Sequence, residues 1–250
     1  FLDTSADSPG GQVAPILTGA FDDPTSLQRL AAESDLVTYE FENVPVSALH
    51  AVSKTRPCLP PVEALRVSQD RLYEKELFTK LGIPTPPFRA IDSLEGLRAA
   101  VAEIGLPSVL KTRRLGYDGK GQAVLRKPAD VETAWQAIGG VPLILEGFVP
   151  FEREVSIIGA RSTRGEVRCY PIVDNTHREG ILRVTLAPHR SRTLQQAAER
   201  HLRKLLRHFD YAGILTIEFF VHRGRLVANE MAPRVHNSGH WTIEGAVTSQ

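Results

Sequence analysis

Two glutamates and an arginine stand close together in "LTIEFFVHRGRLVANEMAPRVHNSGHW" (215–241), and their spacing suits phosphate chemistry. Leu215, Ile217, Phe219 and Val221 alternate with Thr216, Glu218 and Phe220, the period of a strand with one buried face. Arg223-Gly224-Arg225 reads as a three-residue hairpin loop, which sets residue 222 opposite 226 and Glu218 opposite Glu230. Any odd-numbered loop keeps the two on one face, and an even-numbered loop separates them. Directly opposed side chains have Cβ atoms ~4.5–5.5 Å apart. Two carboxylates that close repel unless a proton or cation lies between them, and Mg²⁺ bridges such pairs to phosphate oxygens. Asn229 or Asn237 offers a further amide oxygen. The plainer alternative is a pair of salt-bridged glutamates on a wet sheet face. Arg234 favours the metal, because an anion gripped by Mg²⁺ on one side calls for a planar cationic donor on the other. His236 and His240 have H-x₃-H spacing, but no third zinc ligand of suitable spacing is apparent and Ser238-Gly239 reads as loop.

Two weaker signals precede this one. "KTRRLGYDGKGQAVL" (111–125) places Gly116, Gly119 and Gly121 between two strand-like runs, where bare backbone N–H groups can approach phosphate oxygens and Lys111 and Lys120 add charge. It lacks G-K-[ST] and a following helix, so it is not a Walker loop, and a mobile hairpin tip is the simpler explanation. "LILEGFVPFEREVSI" (143–157) is an apolar strand, a turn and then Glu152 and Glu154; a base can bond the backbone of such a turn and a carboxylate can take ribose hydroxyls.

The elements that must hold these residues follow from periodicity. "LVTYEFENVP" (36–45) predicts a short strand and a polar turn, "PVSALHAVSK" a helix, and "TRPCLPP" (55–61) a linker or edge strand. "SQDRLYEKELFTKLG" predicts one helix capped by Ser68, with Tyr73, Leu77 and Leu81 on one face and Gly82 at its end. "DSLEGLRAAVAEIGLP" carries Asp92 and Glu95 at capping-box spacing ahead of Leu94, Leu97, Val101 and Ile104. Strands at "SVLKTRR", "GQAVLRK" and "PLILEGFV" and a helix at "DVETAWQAIGG" complete a small unit. Three strand-like runs then lead to a helix with Leu194, Ala198, Leu202, Leu205, Leu206 and Phe209 in one stripe. The whole predicts α+β subdomains with mostly antiparallel sheets.

Composition sets outer limits. The 250 residues are 42% hydrophobic and 24% charged, and 30 basic against 29 acidic side chains leave a net charge of +1. No global field favours nucleic acid or an anionic membrane, and no run approaches the ~18 apolar residues of a membrane span. Cys58 and Cys169 are far apart, outside any C-x-x-C pattern, and read as free thiols of a reducing compartment. No signal peptide is visible. The start at "FLDTSADSPG", without Met, and the end at "GAVTSQ" read as the bounds of an internal portion of a longer polypeptide.

The order of the parts is more specific than any one of them: lysine on a strand, glycine loop, "LEGFV", then Glu-x₁₁-Glu and Arg. It resembles the ATP-grasp superfamily, in which two α+β subdomains clamp ATP between antiparallel sheets. Within it, "TYEFENVP", "GYDGKGQ", "EREVSIIGARS", "YPIVDNTHREGILR" and "NEMAPRVHNSGHWTIEGA" resemble the 5-(carboxyamino)imidazole ribonucleotide synthase family of purine biosynthesis along nearly the whole chain. The resemblance implies an ATP-dependent carbon–nitrogen ligase. It would use ATP and bicarbonate, through carboxyphosphate, to carboxylate 5-aminoimidazole ribonucleotide, and it would be a cytoplasmic homodimer dependent on Mg²⁺, or Mn²⁺ in its place.

Carried onto this chain, the resemblance implies ATP contacts by Arg71, Lys111, the flap Gly116, Tyr117, Asp118, Gly119, Lys120, Gly121 and Gln122, the adenine hinge Glu146, Gly147, Phe148 and Val149, then Glu154, His177, Asn229 and Glu230. Glu218 and Glu230 would hold the metal. Glu40, Tyr117, Asp118, Arg234, His236, Asn237 and Ser238 would face the ribonucleotide, with Arg234, Asp118 and Lys111 taking part in catalysis. Residues 1–66 would be a truncated preATP-grasp domain, an α/β remnant with its linker. Residues 67–250 would be the ATP-grasp domain, with a lid at about 87–149 and a main subdomain at about 150–250. The "GxGQLG"-like opening strand and loop of such enzymes is missing, and a further C-terminal domain is expected after Gln250. The rival readings are another ATP-grasp ligase, such as a formate-dependent glycinamide ribonucleotide transformylase, and a non-catalytic nucleotide-binding module.

Overall fold

Short apolar runs in the first sixty residues give small elements. In the computed structural model, which describes residues 1–116 and 120–250, β1 (Leu2–Asp3) and β2 (Leu17–Thr18) pair in parallel. Helix α1 (Pro24–Ala32) starts at Asp23, whose carboxylate accepts the Ser26 N–H at 2.7 Å, and α2 (Val46–Ser53) packs against it through Leu27, Ala31, Ala48 and Val52. The strand predicted within 36–45 reduces to a single parallel bridge between Val37 and Cys58. Pro57, Pro60 and Pro61 surround Cys58, and proline has no N–H with which to extend a ladder.

The helix predicted after Ser68 is present, but its cap is Asp70, and Ser68 instead ends a helix that the sequence reading did not predict. Helix α3 (Val62–Ser68) ends where Ser68 donates its hydroxyl to the Leu65 carbonyl, and α4 (Arg71–Lys80) begins from Asp70, which accepts the Leu72 N–H at 3.0 Å. Asp70 is fixed there by Arg113, whose guanidinium grips both carboxylate oxygens at 2.9 and 2.7 Å. The buried face of α4 is also not the predicted stripe. Tyr73 is exposed, while Leu77 and Phe78 are buried together with the polar residues Glu74 and Lys75.

Next comes a four-stranded antiparallel sheet, in the order β3-β6-β4-β5, from β3 (Phe88–Ile91), β4 (Ser108–Thr112), β5 (Gln122–Leu125) and β6 (Leu143–Gly147). Helices α5 (Leu94–Ile104) and α6 (Asp130–Ile138) cover one face, burying Leu97, Ala100, Leu110, Val131, Ala134 and Leu145. The α5 cap is Ser93, which accepts the Gly96 N–H, one residue later than the predicted Asp92 box. Strand alternation sends Leu110 to the helices, so its neighbour Lys111 emerges on the opposite face.

The last hundred residues form a six-stranded antiparallel sheet. Strands β7 (Arg153–Arg161), β8 (Val167–Cys169), β9 (Val173–Arg178), β10 (Ile181–Leu186), β11 (Gly213–His222) and β12 (Arg225–Ala232) run β10-β9-β7-β11-β12, with β8 beside the far end of β7. Helix α7 (Arg192–His208) lays its predicted stripe across this sheet, with Ala198, Leu202 and Leu205 fully buried against β7, β11 and β12. Each such leucine contributes about 1.5–3 kcal/mol by leaving water. The short α8 (Thr242–Gly245) closes the described chain.

Candidate functional site

The predicted carboxylate pair is present, but the hairpin makes it differently. The loop has two residues, with His222 opposite Arg225 and positive φ at both Arg223 (49°) and Gly224 (70°). By the parity rule this should separate the glutamates. A β-bulge restores them: the register runs Phe219↔Ala228 and then Glu218↔Glu230, so Asn229 is an extra residue without a partner on β11. Glu218 and Glu230 therefore face each other from neighbouring strands.

They line one cleft together with residues drawn from both sheets and from α4. Its two lobes share Arg71, Gly116, His177, Gly180, Glu218 and Glu230. One lobe adds Lys111, Lys120, Gln122, Glu154, Phe220 and Asn229, and the other adds Glu42, Arg113, Arg234, His236 and Asn237. A separate hollow on the β9–β10 hairpin, lined by Thr176, Arg178, Glu179, Arg183 and Val184, shares none of these groups.

The electrostatics of the cleft favour an added cation. Burial, and then the neighbouring Glu230, push the Glu218 carboxyl up to about 8. His236 is held down to about 4, chiefly by burial, so it is a neutral ring at pH 7. Its Nδ1 accepts the Ser238 N–H, which leaves the ring proton on Nε2, 3.5 Å from Glu218 Oε1. That contact is a weak neutral one rather than an ion pair. His236 therefore brings no charge to the two glutamates, and their paired oxygens suit a hard divalent ion. Among the described residues no three His, Cys, Asp or Glu side chains converge as ligands, so these side chains alone do not make a complete metal shell.

Arg71, Lys111 and Lys120 line the same lobe as the pair. Arg71 donates to the Thr112 carbonyl at 2.9 Å and the Gly116 carbonyl at 3.1 Å, which fixes the root of the glycine loop. Lys111 Nζ lies 2.9 Å from Glu146 Oε2, and Lys75 Nζ lies 3.8 Å from Glu146 Oε1. Burial alone would raise the Glu146 carboxyl, but the two lysines overcome it and hold it down at about 2. Across the cleft, the Glu154 carboxylate binds His177 Nδ1 and raises that imidazole's affinity for a proton. Arg234 meets Glu42 at 3.0 Å and donates to the Val235 carbonyl.

Several expected residues lie elsewhere. Glu40 is exposed and outside the cleft lining; Tyr39 turns inward, and Glu42 is the acid of "TYEFENVP" that reaches the site. Ser238 is fully buried and its hydroxyl meets His236 Nδ1 at 2.8 Å. Glu146 keeps its carboxylate under the sheet, and the N–H groups of Gly147 and Phe148 already donate to the Pro87 and Pro107 carbonyls. Phe148 is exposed and Val149 half-buried at that turn. Gly121 takes φ 69° beside Thr112, next to the cleft rather than in its lining. Tyr117, Asp118 and Gly119 lie outside the described residues. Sequence reading missed Glu42, Asp70, Glu74, Lys75, Arg113 and Phe220. The signal for Glu74 and Lys75 was available, since both break the apolar stripe of α4.

Two antiparallel sheets with a metal-suited acid pair, a glycine loop and basic groups between them define an ATP-grasp protein. Residues 76–250 match the family model of the ATP-grasp domain, and residues 1–69 match the ribonucleotide synthetase preATP-grasp domain. The chain is 51% identical over its whole length to the N5-carboxyaminoimidazole ribonucleotide synthase of Pseudomonas aeruginosa, spanning 69% of it, and 40% identical to that of Bacillus subtilis, spanning 66%. The crystal structure of the Thermus thermophilus N5-carboxyaminoimidazole ribonucleotide synthetase superposes with a TM-score of 0.95 at 50% identity, over all of this chain and 68% of that one. An Aspergillus clavatus synthase in complex with ADP and 5-aminoimidazole ribonucleotide gives 0.90 at 30%, over 98% and 65%. The chain belongs to the N5-carboxyaminoimidazole ribonucleotide synthase family of ATP-grasp ligases.

Proposed function

We propose that this protein carboxylates the exocyclic amine of 5-aminoimidazole ribonucleotide, using ATP and bicarbonate and releasing ADP and phosphate. The observation that carries the reading is the Glu218–Glu230 pair, set in register by the Asn229 bulge and facing Arg71 and Lys111 across one cleft. The sheet of residues 87–149 acts as a lid on the nucleotide, and residues 150–250 form the base beneath it. Glu218 and Glu230 would hold Mg²⁺, which would neutralise charge on the nucleotide's phosphates.

The chain's own groups divide the remaining work. Lys111 and Arg71 hold the phosphates, and Glu154 with His177 takes the sugar side. A bicarbonate oxygen attacks the γ-phosphorus, the bond to the ADP oxygen breaks, and Arg234 stabilises the charge on the group in transit. The amine nitrogen then captures the carboxyl carbon of carboxyphosphate, or of CO₂ released from it, as phosphate leaves. His236 and Asn237 face the ribonucleotide from the same lobe as Arg234 and Glu42. Asp118 is assigned the amine proton and the flap 116–122 the exclusion of water. The enzyme works as a cytoplasmic homodimer in this reading.

Purified full-length protein tests it by ADP release with ribonucleotide and bicarbonate omitted in turn. Full turnover requires both. Turnover on formate and glycinamide ribonucleotide, or nucleotide binding without ADP formation, would overturn the assignment.

A further inference from the structure

Strand β12 ends its sheet, so one row of its N–H and C=O groups faces away from β11. Such a row needs partners, and among the described residues no further strand supplies them. Helix α4 does so with side chains. Lys75 Nζ donates to the Ala228 carbonyl at 3.2 Å and to the Asn229 carbonyl. Glu74 Oε1 accepts the Met231 N–H at 2.6 Å, and the Pro84 carbonyl takes the Ala228 N–H at 2.7 Å. Lys75 is 1% exposed, a depth at which an ammonium is costly unless hydrogen bonds and a counter-charge compensate it. It lines neither lobe of the cleft.

The residues it grips are the bulge residue Asn229 and Ala228 just before it. With the two-residue loop, an unbulged ladder would put Asn229 opposite Glu218 and turn Glu230 to the other face of the sheet. The bulge is therefore what makes the acid pair, and Lys75 holds both of its carbonyls. The same ammonium reaches Glu146 at the end of β6, whose other oxygen binds Lys111.

We propose that Lys75 is a positioning residue: its buried ammonium locks the Asn229 bulge, holds Glu230 opposite Glu218, and ties that strand to the lid sheet through Glu146. It touches no substrate. The role in metal binding rests on the reading of Glu218 and Glu230 given above; the role in the bulge does not. The competing account makes Lys75 only a counter-charge for Glu146, which needs the charge but not the carbonyl hydrogen bonds.

The test uses full-length protein without metal, followed by hydrogen exchange in the peptides covering 225–232 and 153–161. Lys75→Met should speed exchange in 225–232 about tenfold and leave 153–161 near wild type. Mn²⁺ titration with ADP present, read from free Mn²⁺, should show a midpoint raised about tenfold or more. Lys75→Gln, which keeps a donor for one carbonyl, should recover part of both effects. Lys75→Met/Glu146→Gln, which removes both members of the buried ion pair, should stay loosened. Wild-type exchange in Lys75→Met, or its return in the double variant, overturns the proposal. So does a Lys75→Gln protein that fails to fold, because Lys75 would then support the whole domain. A wild-type protein that takes up no Mn²⁺ overturns the metal reading alone, and the exchange arm still decides the bulge.

Discussion

Arg234 stands at the point where sequence and structure say different things about one residue. Its type and its place four residues after Glu230 marked it as a phosphoryl clamp, while the structure engages it with Glu42 and its own neighbour's carbonyl. Glu42 is itself half-buried, and burial raises its carboxyl against the pull of Arg234. Removing the guanidinium should therefore remove transition-state stabilisation rather than collapse the fold. Arg234→Ala is expected to lower kcat about 10³-fold with the ATP KM within a few-fold, and Arg234→Lys to recover only part, because an ammonium lacks the planar fork. Steady-state kinetics check both, and a kcat within threefold of wild type in Arg234→Ala would remove the residue from the mechanism. At this scale residue types were legible and partners were not. Glu40 and Glu42 sit two apart in one motif, and only the inward turn of Tyr39 and the reach of Arg234 decide between them.

Elements were legible where their own periodicity forms them and illegible where distant groups do. The α7 stripe and the β11 alternation needed nothing beyond local sequence. The break between α3 and α4 depends on Arg113 binding Asp70 from 43 residues away, and the bulge in β12 on Lys75, whose bonds to it span about 150 residues. The link among α4, β4 and β6 also has a pH signature. Glu146 keeps a folded pKa of about 2 against an ordinary 4.5, because Lys111 and Lys75 outweigh its burial. A depressed carboxyl contributes stability that is complete above the unfolded pKa and is lost as pH falls through the folded one. The window is therefore pH 4.5 down to 2, worth on the order of 3 kcal/mol in all and about 2 kcal/mol by pH 3. Urea midpoints at pH 5 and pH 3 should show wild type losing about that much more than Glu146→Gln. An equal loss in the two proteins would mean that the lysines do not hold the carboxylate in the folded state.

Across the whole molecule, the cleft gathers its charges from the four-stranded sheet, the six-stranded sheet and α4. The two sheets have separate apolar clusters, and α4 shares that of the six-stranded sheet through Leu77 and Phe78, so each body keeps its shape whether or not the charges between them are balanced. Ligands should accordingly act on the joint between the sheets. Lys111, Arg71 and the paired glutamates place opposite charges on facing walls, so the nucleotide polyphosphate and a divalent ion together match the cleft, and either alone leaves one wall unbalanced. A ligand at about 100 times its Kd stabilises the folded state by about 2.7 kcal/mol, a shift of several degrees for a domain of this size. Thermal unfolding with ATP and Mg²⁺ should show that full shift, ATP with EDTA only a small part of it, and Mg²⁺ alone almost none. In Glu218→Gln the response to ATP with EDTA should persist while the increment from Mg²⁺ disappears, since the amide keeps the shape of the wall but cannot ionise to hold the cation. If the increment survives in that variant, the ion is held elsewhere and the register of β11 and β12 no longer explains the site.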